Sequence, residues 1–244
     1  MPDSPVENQL RPIEKASALV GNRLALAGTI LYFLEWAAIA FLADIPTDRL
    51  GQDSTAIVEA YSGEARATAL AAGWFSVVLL GRVLFVVALR KAFRDSGRES
   101  TLLDFAVGAM IMSVAVEVVS FSLPAAAAFL AENGADSSAV VALDSAGSMA
   151  FLLVFAPIGV SVLAGAAAMI TTRLFKRWLG WLGVVAGVLA IVGGILAGAA
   201  LGDDGSFHDW GAQPTEIGVG LFWIWMITTS AILWRRRPPG AAVD

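Results

Sequence analysis

The sequence predicts an all-α bundle of six membrane-spanning helices, with both chain ends on the cytoplasmic side. Three observations predict it. Of the 244 residues, 57% are hydrophobic and only 15% are charged, and the mean hydropathy is +0.73. A soluble domain carries about 25% charged and about 45–50% apolar residues. The apolar excess is gathered into six runs, each near the ~20 residues that cross ~30 Å of hydrocarbon. Basic residues, finally, fall almost entirely in alternate connections between those runs.

The runs are Leu24–Ala43, Thr68–Leu89, Phe105–Leu130, Ser145–Thr171, Trp178–Leu201 and Ile217–Trp234. They divide the chain into an N-terminal tail (1–22), a transmembrane domain (23–235) and a C-terminal tail (236–244). The first tail holds Asp3, Glu7 and Glu14, and the run after it is too long for a signal-peptide h-region, so a cleaved signal is not expected. The third and fourth runs are long enough to require tilt or kinks. Pro124 and Pro157 lie inside them and supply kinks, because proline removes a helical N–H and crowds the preceding turn.

Lys and Arg set the orientation. The first tail with Arg23, the second loop, the fourth loop and the C-terminal tail together hold thirteen basic residues; the other side holds Arg49 and Arg66, and Arg82 lies within a span. Both termini are therefore expected in the cytoplasm, with the protein multi-pass in the cell (inner) membrane. The opposite loops are acidic, among them Asp44, Asp53, Glu64, Glu132, Asp136 and Asp144. Trp178, Trp181 and Trp234 on one side, and Trp74 and Trp210 on the other, mark the interfaces. In the first loop, Ser54–Tyr61 has the pattern of a short amphipathic helix with Ile57, Val58 and Tyr61 on one side.

The fifth run is glycine-rich, with Gly183 and Gly187, and Gly194 and Gly198, as small-xxx-small pairs. Packing inside the bundle is the favoured reading, and a homodimer through this helix is the alternative.

The stretch AFLLVFAPIGVSVLAGAAAMITTRLFKRWLGWLGVVAGVLAIVGG joins a Pro-Ile-Gly in the fourth helix to a basic turn and a Leu-Gly-rich fifth helix. It resembles the bacterial membrane family catalogued as domain of unknown function 4386, best over residues 68–200. The resemblance implies six helices and a similar length. That family has no established activity, so no residue role follows from it.

Three ionisable residues lie inside the runs: Glu35, Arg82 and Glu117. A charge at that depth is costly and has a partner or a function. Counted from the nearest basic or polar flank at 1.5 Å per residue, Glu35 and Glu117 lie about 18 Å in and Arg82 about 12 Å in, so the three can meet near the midplane. On the third helix Ser113, Glu117, Ser120 and Pro124 form one stripe, and on the first Gly28, Tyr32 and Glu35 share a face. Around Arg82, positions at helical spacing are Val78, Leu79, Phe85 and Val86, none of which accepts a hydrogen bond, so its five donors need another helix. One guanidinium neutralises one carboxylate, which leaves a second buried acid. The conservative reading is an ion pair that fixes helix packing. The functional reading is small-solute or proton-linked transport or permeation around Glu35, Arg82 and Glu117.

Other chemistry finds little material. There is no cysteine and a single histidine, His208, which leaves no thiolate metal site, no bis-His cofactor and no intramembrane Ser–His pair. No aspartate falls mid-run, the three lysines lie outside the runs, and no phosphate loop is present. An enzyme, a cofactor, a metal and nucleic acid are therefore not expected. The partner is the lipid bilayer, and the substrate is not specified. Asp203, Asp204, His208 and Asp209 read as a solvated acidic loop rather than a cation site, and Trp223 and Trp225 as lipid-facing or core aromatics rather than a pocket lining.

Overall fold

The computed structural model describes residues 21, 23–41, 49, 51–199 and 212–236. Most of the two tails and the acidic loop with Asp203, Asp204, His208, Asp209 and Trp210 lie outside them, as do Leu201 and Gly202. Among the described residues the chain is all-α, with no strand and six helical stretches long and apolar enough to cross a membrane. They are Arg23–Phe41, Ala65–Asp95, Thr101–Glu132, Ser137–Thr172, Arg177–Leu196 and Pro214–Arg235. Large apolar side chains point outward along their length, among them Phe41, Phe105, Phe129, Leu153 and Ile195. Such a belt is untenable in water and suits lipid.

Successive spans pack side by side, and the sixth returns to the first and second. At one end the Arg98 guanidinium donates to the Thr172 carbonyl, Arg236 donates to the Leu174 carbonyl at 2.5 Å, and Arg23 lies over the Trp234 ring. Burial and the neighbouring Arg98 lower the proton affinity of the Arg236 guanidinium. This end carries the basic hairpins, whose charges pair locally as Lys91–Asp95, Arg90–Asp104 and Arg94–Glu99. The opposite end carries the helix Ser54–Tyr61, found at the bounds its sequence suggests. Asp53 caps it, its carboxylate accepting from the Ala56 N–H at 2.9 Å. Ile57 and Tyr61 bury against Ala127, Ala128 and Val140 of the third and fourth spans.

The third connection is far shorter than its composition suggests. The third span runs to Glu132, Gly134 takes positive φ, and Asp136 already caps the next helix by accepting from the Ser138 N–H at 3.0 Å. The fourth span therefore starts at Ser137, not Ser145. Asp144, expected in an acidic loop, is instead 1% exposed inside that span. Its compensation is the Tyr61 hydroxyl, which donates to its Oδ1 at 2.6 Å. Burial and the adjoining carboxylate push the Tyr61 phenol far above its ordinary range, so it remains a donor.

Helix irregularities only partly follow proline. The fourth span breaks at Val154, three residues before Pro157, which has no N–H for the Leu153 carbonyl. The third span stays helical through Pro124. Two further breaks fall where no proline stands, at Leu34 and Leu79. Both tighten into i→i+3 bonds, Ala37 N–H to Leu34 carbonyl and Arg82 N–H to Leu79 carbonyl, at 3.2 and 3.1 Å. The Leu34 carbonyl also accepts from the Trp74 indole at 2.9 Å, so a neighbouring span satisfies part of the break.

The described glycines of the fifth span are used inside the bundle. A Cβ at Gly187 would meet the Gly159 carbonyl at 2.7 Å, and one at Gly183 would meet Trp225 and Ala166. Gly180, Gly193 and Gly194 lie against Ile170, Thr215 and the Phe155 Cβ and Ala156 backbone nitrogen, respectively. The outward face of this helix is bulky instead, with Trp181, Val185, Val188, Val192 and Ile195.

Candidate functional site

The second span carries Arg82 into the interior, and the residue is 1% exposed. It gets there because Gly81, just before it, lets the first and second spans cross with their backbones in contact. A Cβ on Gly81 would lie 2.4 Å from the Gly28 carbonyl, and one on Gly28 would lie 2.6 Å from the Gly81 carbonyl. That crossing places Tyr32, one turn beyond Gly28, against Arg82, whose guanidinium carbon sits 5.1 Å from the centre of the phenol ring.

From the third span Glu117, 4% exposed, accepts from Arg82 through its Oε2. This is the interhelical partner that the apolar surroundings of Arg82 require. The stripe around Glu117 is buried as a unit: Ser113, Ser120 and Pro124 all face inward. Its hydroxyls serve their own helix, Ser113 donating to the Met110 carbonyl at 2.8 Å and Ser120 to the Glu117 carbonyl at 2.7 Å. The Ser120 carbonyl, which Pro124 deprives of its helical N–H, lies against Gly147 of the fourth span.

Glu35 is the third member. It follows the break at Leu34, is 8% exposed, and has Tyr32 as its side-chain hydrogen-bond neighbour. It lies within electrostatic reach of both Arg82 and Glu117. The guanidinium, however, pairs with Glu117 and not with Glu35. Among the described residues the cluster thus holds two buried carboxyl groups and one guanidinium, and the Nε of that guanidinium has no hydrogen-bond partner.

The sixth span closes the site. The Trp223 indole donates to the Tyr32 hydroxyl at 3.3 Å, and Trp225, 1% exposed, packs edge-on to Phe85 at 5.4 Å. Below them the Thr29 and Ser230 hydroxyls bond each other at 2.7 Å. Pro157 lies buried in the fourth span, two residues before the fifth-span crossing at Gly159. Sequence reasoning missed the roles of Gly81, Trp223 and Asp144. The available signals were a glycine next to an intramembrane arginine, and Asp144 with Ser148 one turn on. Among the described residues no group of three or more acidic or histidine side chains is placed to hold a metal.

Chemically, the arrangement can neutralise one carboxylate and can hold or release a proton at the other. Compared with known protein families, with curated proteins and with solved structures, the chain matches none.

Proposed function

We propose that the protein mediates proton-linked transport or permeation of a small solute, with Glu35 as the proton-carrying group and the Arg82–Glu117 pair as its fixed electrostatic background. The observation that carries this reading is the second buried carboxyl. A device for locking helices needs one acid for one guanidinium. Glu35 adds a further desolvation cost that packing does not explain, and intramembrane acids at such cost mark proton and ion paths. The rival is a structural or regulatory membrane subunit in which the charges only fix the bundle. The resemblance to the uncharacterised bacterial family supports neither reading over the other. A homodimer is not part of the proposal, because the described glycines of the fifth span face their own bundle.

The test is Glu35→Gln in protein reconstituted into liposomes with an internal pH dye. The amide keeps size and hydrogen bonding but cannot carry a proton. Proton flux should fall to the protein-free level while the unfolding midpoint stays close to that of the parent. A carboxylic-acid infrared band present at neutral pH should vanish in the same variant. Unchanged flux, or a band that survives, removes the basis for a proton-linked role.

The orientation proposed with it is both termini in the cytoplasm, from the thirteen-to-two bias in basic residues. Reporters fused at residue 244 and inserted at residue 134 should be read on opposite sides of the membrane, with residue 244 cytoplasmic. The reverse assignment would overturn the orientation and leave the fold unaffected.

A further inference from the structure

A cavity of about 340 Å³ opens at the end of the bundle that carries the loop helix. Phe41 of the first span, Tyr61 of the loop helix, Thr68 and Ala72 of the second span, and Phe121 and Pro124 of the third line it. Its floor is one helical turn from Glu117, because Phe121 follows Glu117 by four residues. Phe121, which lines the cavity on the turn next to Glu117, is held by a ring stack. Phe75 and Phe121 stack with ring centres 3.6 Å apart and planes 15° from parallel, and they are 0% and 5% exposed.

Phe75 stands near a helix break, and Phe121 near a proline inside a continuous helix. Phe75 lies four residues before the break at Leu79, which itself precedes Arg82 by three. Phe121 lies three residues before Pro124, whose missing N–H weakens the ladder at that turn. A break such as that at Leu79 lets one segment of a helix swing while the rest stays packed, and the hydrogen bond missing at Pro124 lowers the resistance of the third span to bending. Phe121 also packs edge-on to Phe151 at 5.9 Å, a second surface onto which its ring can turn.

We infer that this cavity is the aqueous entry to the charge cluster, and that the Phe75–Phe121 stack is the gate that closes it. The passing species is water and the protons it relays. The gate works by excluding water from an apolar constriction, which a small rotation of Phe121 onto Phe151 opens. The inference rests on the proposed role of the cluster, and adds to it the side of entry and the residues that control it.

The chain contains no cysteine, so single cysteines report accessibility without background. Ser113 is wholly buried beyond the pair from the gate, which makes Ser113→Cys the reporter. Asn133→Cys and Glu99→Cys, both at exposed positions at opposite ends, calibrate sidedness in sealed vesicles. A membrane-impermeant thiosulfonate is added from each side. In the parent background Ser113→Cys should label slowly, and only from the side that labels Asn133→Cys. Adding Phe121→Ala should speed that labelling about tenfold, the size of shift that losing an aromatic pair produces. Phe121→Leu, which keeps most of the apolar bulk but not the stack, should give a smaller rise and serves where the alanine variant does not fold. Labelling that neither variant accelerates, or that comes from the side of Glu99→Cys, overturns the gate. That outcome leaves the Glu35 flux result standing, whereas an accelerated rate with Glu35→Gln flux unchanged would uphold the entry and sink the proton-linked role.

Discussion

Arg82→Leu is expected to destabilise the bundle by about 3–5 kcal/mol, the usual cost of removing one member of a buried ion pair. The loss has two parts. Glu117, 4% exposed, would be left with its charge uncompensated, and the guanidinium would no longer sit against the Tyr32 ring. Glu117→Gln alone should be costly for the mirror reason, since it deprives an arginine that is 1% exposed of the carboxylate it is bonded to. The double variant Arg82→Leu/Glu117→Gln buries no charge from the pair. It should lose much less than the sum of the singles, leaving a coupling of about 2 kcal/mol or more between adjacent sites. Unfolding by denaturing detergent, followed by near-ultraviolet circular dichroism in mixed micelles, measures all three. If the losses simply add, the two side chains do not depend on each other, and the site must be redrawn.

Membrane class, span number and the alternation of basic and acidic ends could be read from the residues because each rests on the bilayer itself. Hydrocarbon thickness fixes span length, and an unpaired guanidinium in it is so costly that Arg82 must find an acid. The helix Ser54–Tyr61 was equally readable, since Asp53 caps it and Ile57 and Tyr61 recur on one face. Features set by one helix meeting another could not be read in this way. An aspartate at the start of an apolar run argues for a loop, yet Tyr61, 83 residues away, makes the burial of Asp144 tolerable. The breaks at Leu34 and Leu79 have no local signal; they occur where the first two spans approach each other, and Trp74 takes up a freed carbonyl. Proline pointed to the break near Pro157 but not to the continuous helix through Pro124. Of the site, the pair and the shared face of Tyr32 and Glu35 were visible in spacing, while the closure by Trp223 depends on how the sixth span returns.

Gly81→Ala is expected to be among the most damaging single changes in the chain for its size. Its new Cβ would fall 2.4 Å from the Gly28 carbonyl and 2.5 Å from the Tyr32 backbone nitrogen. These are backbone atoms of another helix, so no rotamer change relieves the overlap and the two spans must move apart. Overpacking of this kind costs about 1–3 kcal/mol and sometimes more. It should also carry Tyr32 away from Arg82 and Glu35 away from the pair, because all three are held in register by that crossing. Gly28→Ala, which would meet the Gly81 carbonyl at 2.6 Å, should fail in the same way. Gly73 and Gly108 supply the internal comparison. Both stand mid-helix with nothing within 4 Å of an added Cβ, so alanine there should be neutral or stabilise by up to about 1 kcal/mol through helix propensity. Detergent-unfolding midpoints for the four variants give the answer directly. If Gly81→Ala unfolds with Gly73→Ala rather than far below it, the first two spans do not touch through their backbones. The alignment of Tyr32, Arg82 and Glu35 would then need another cause.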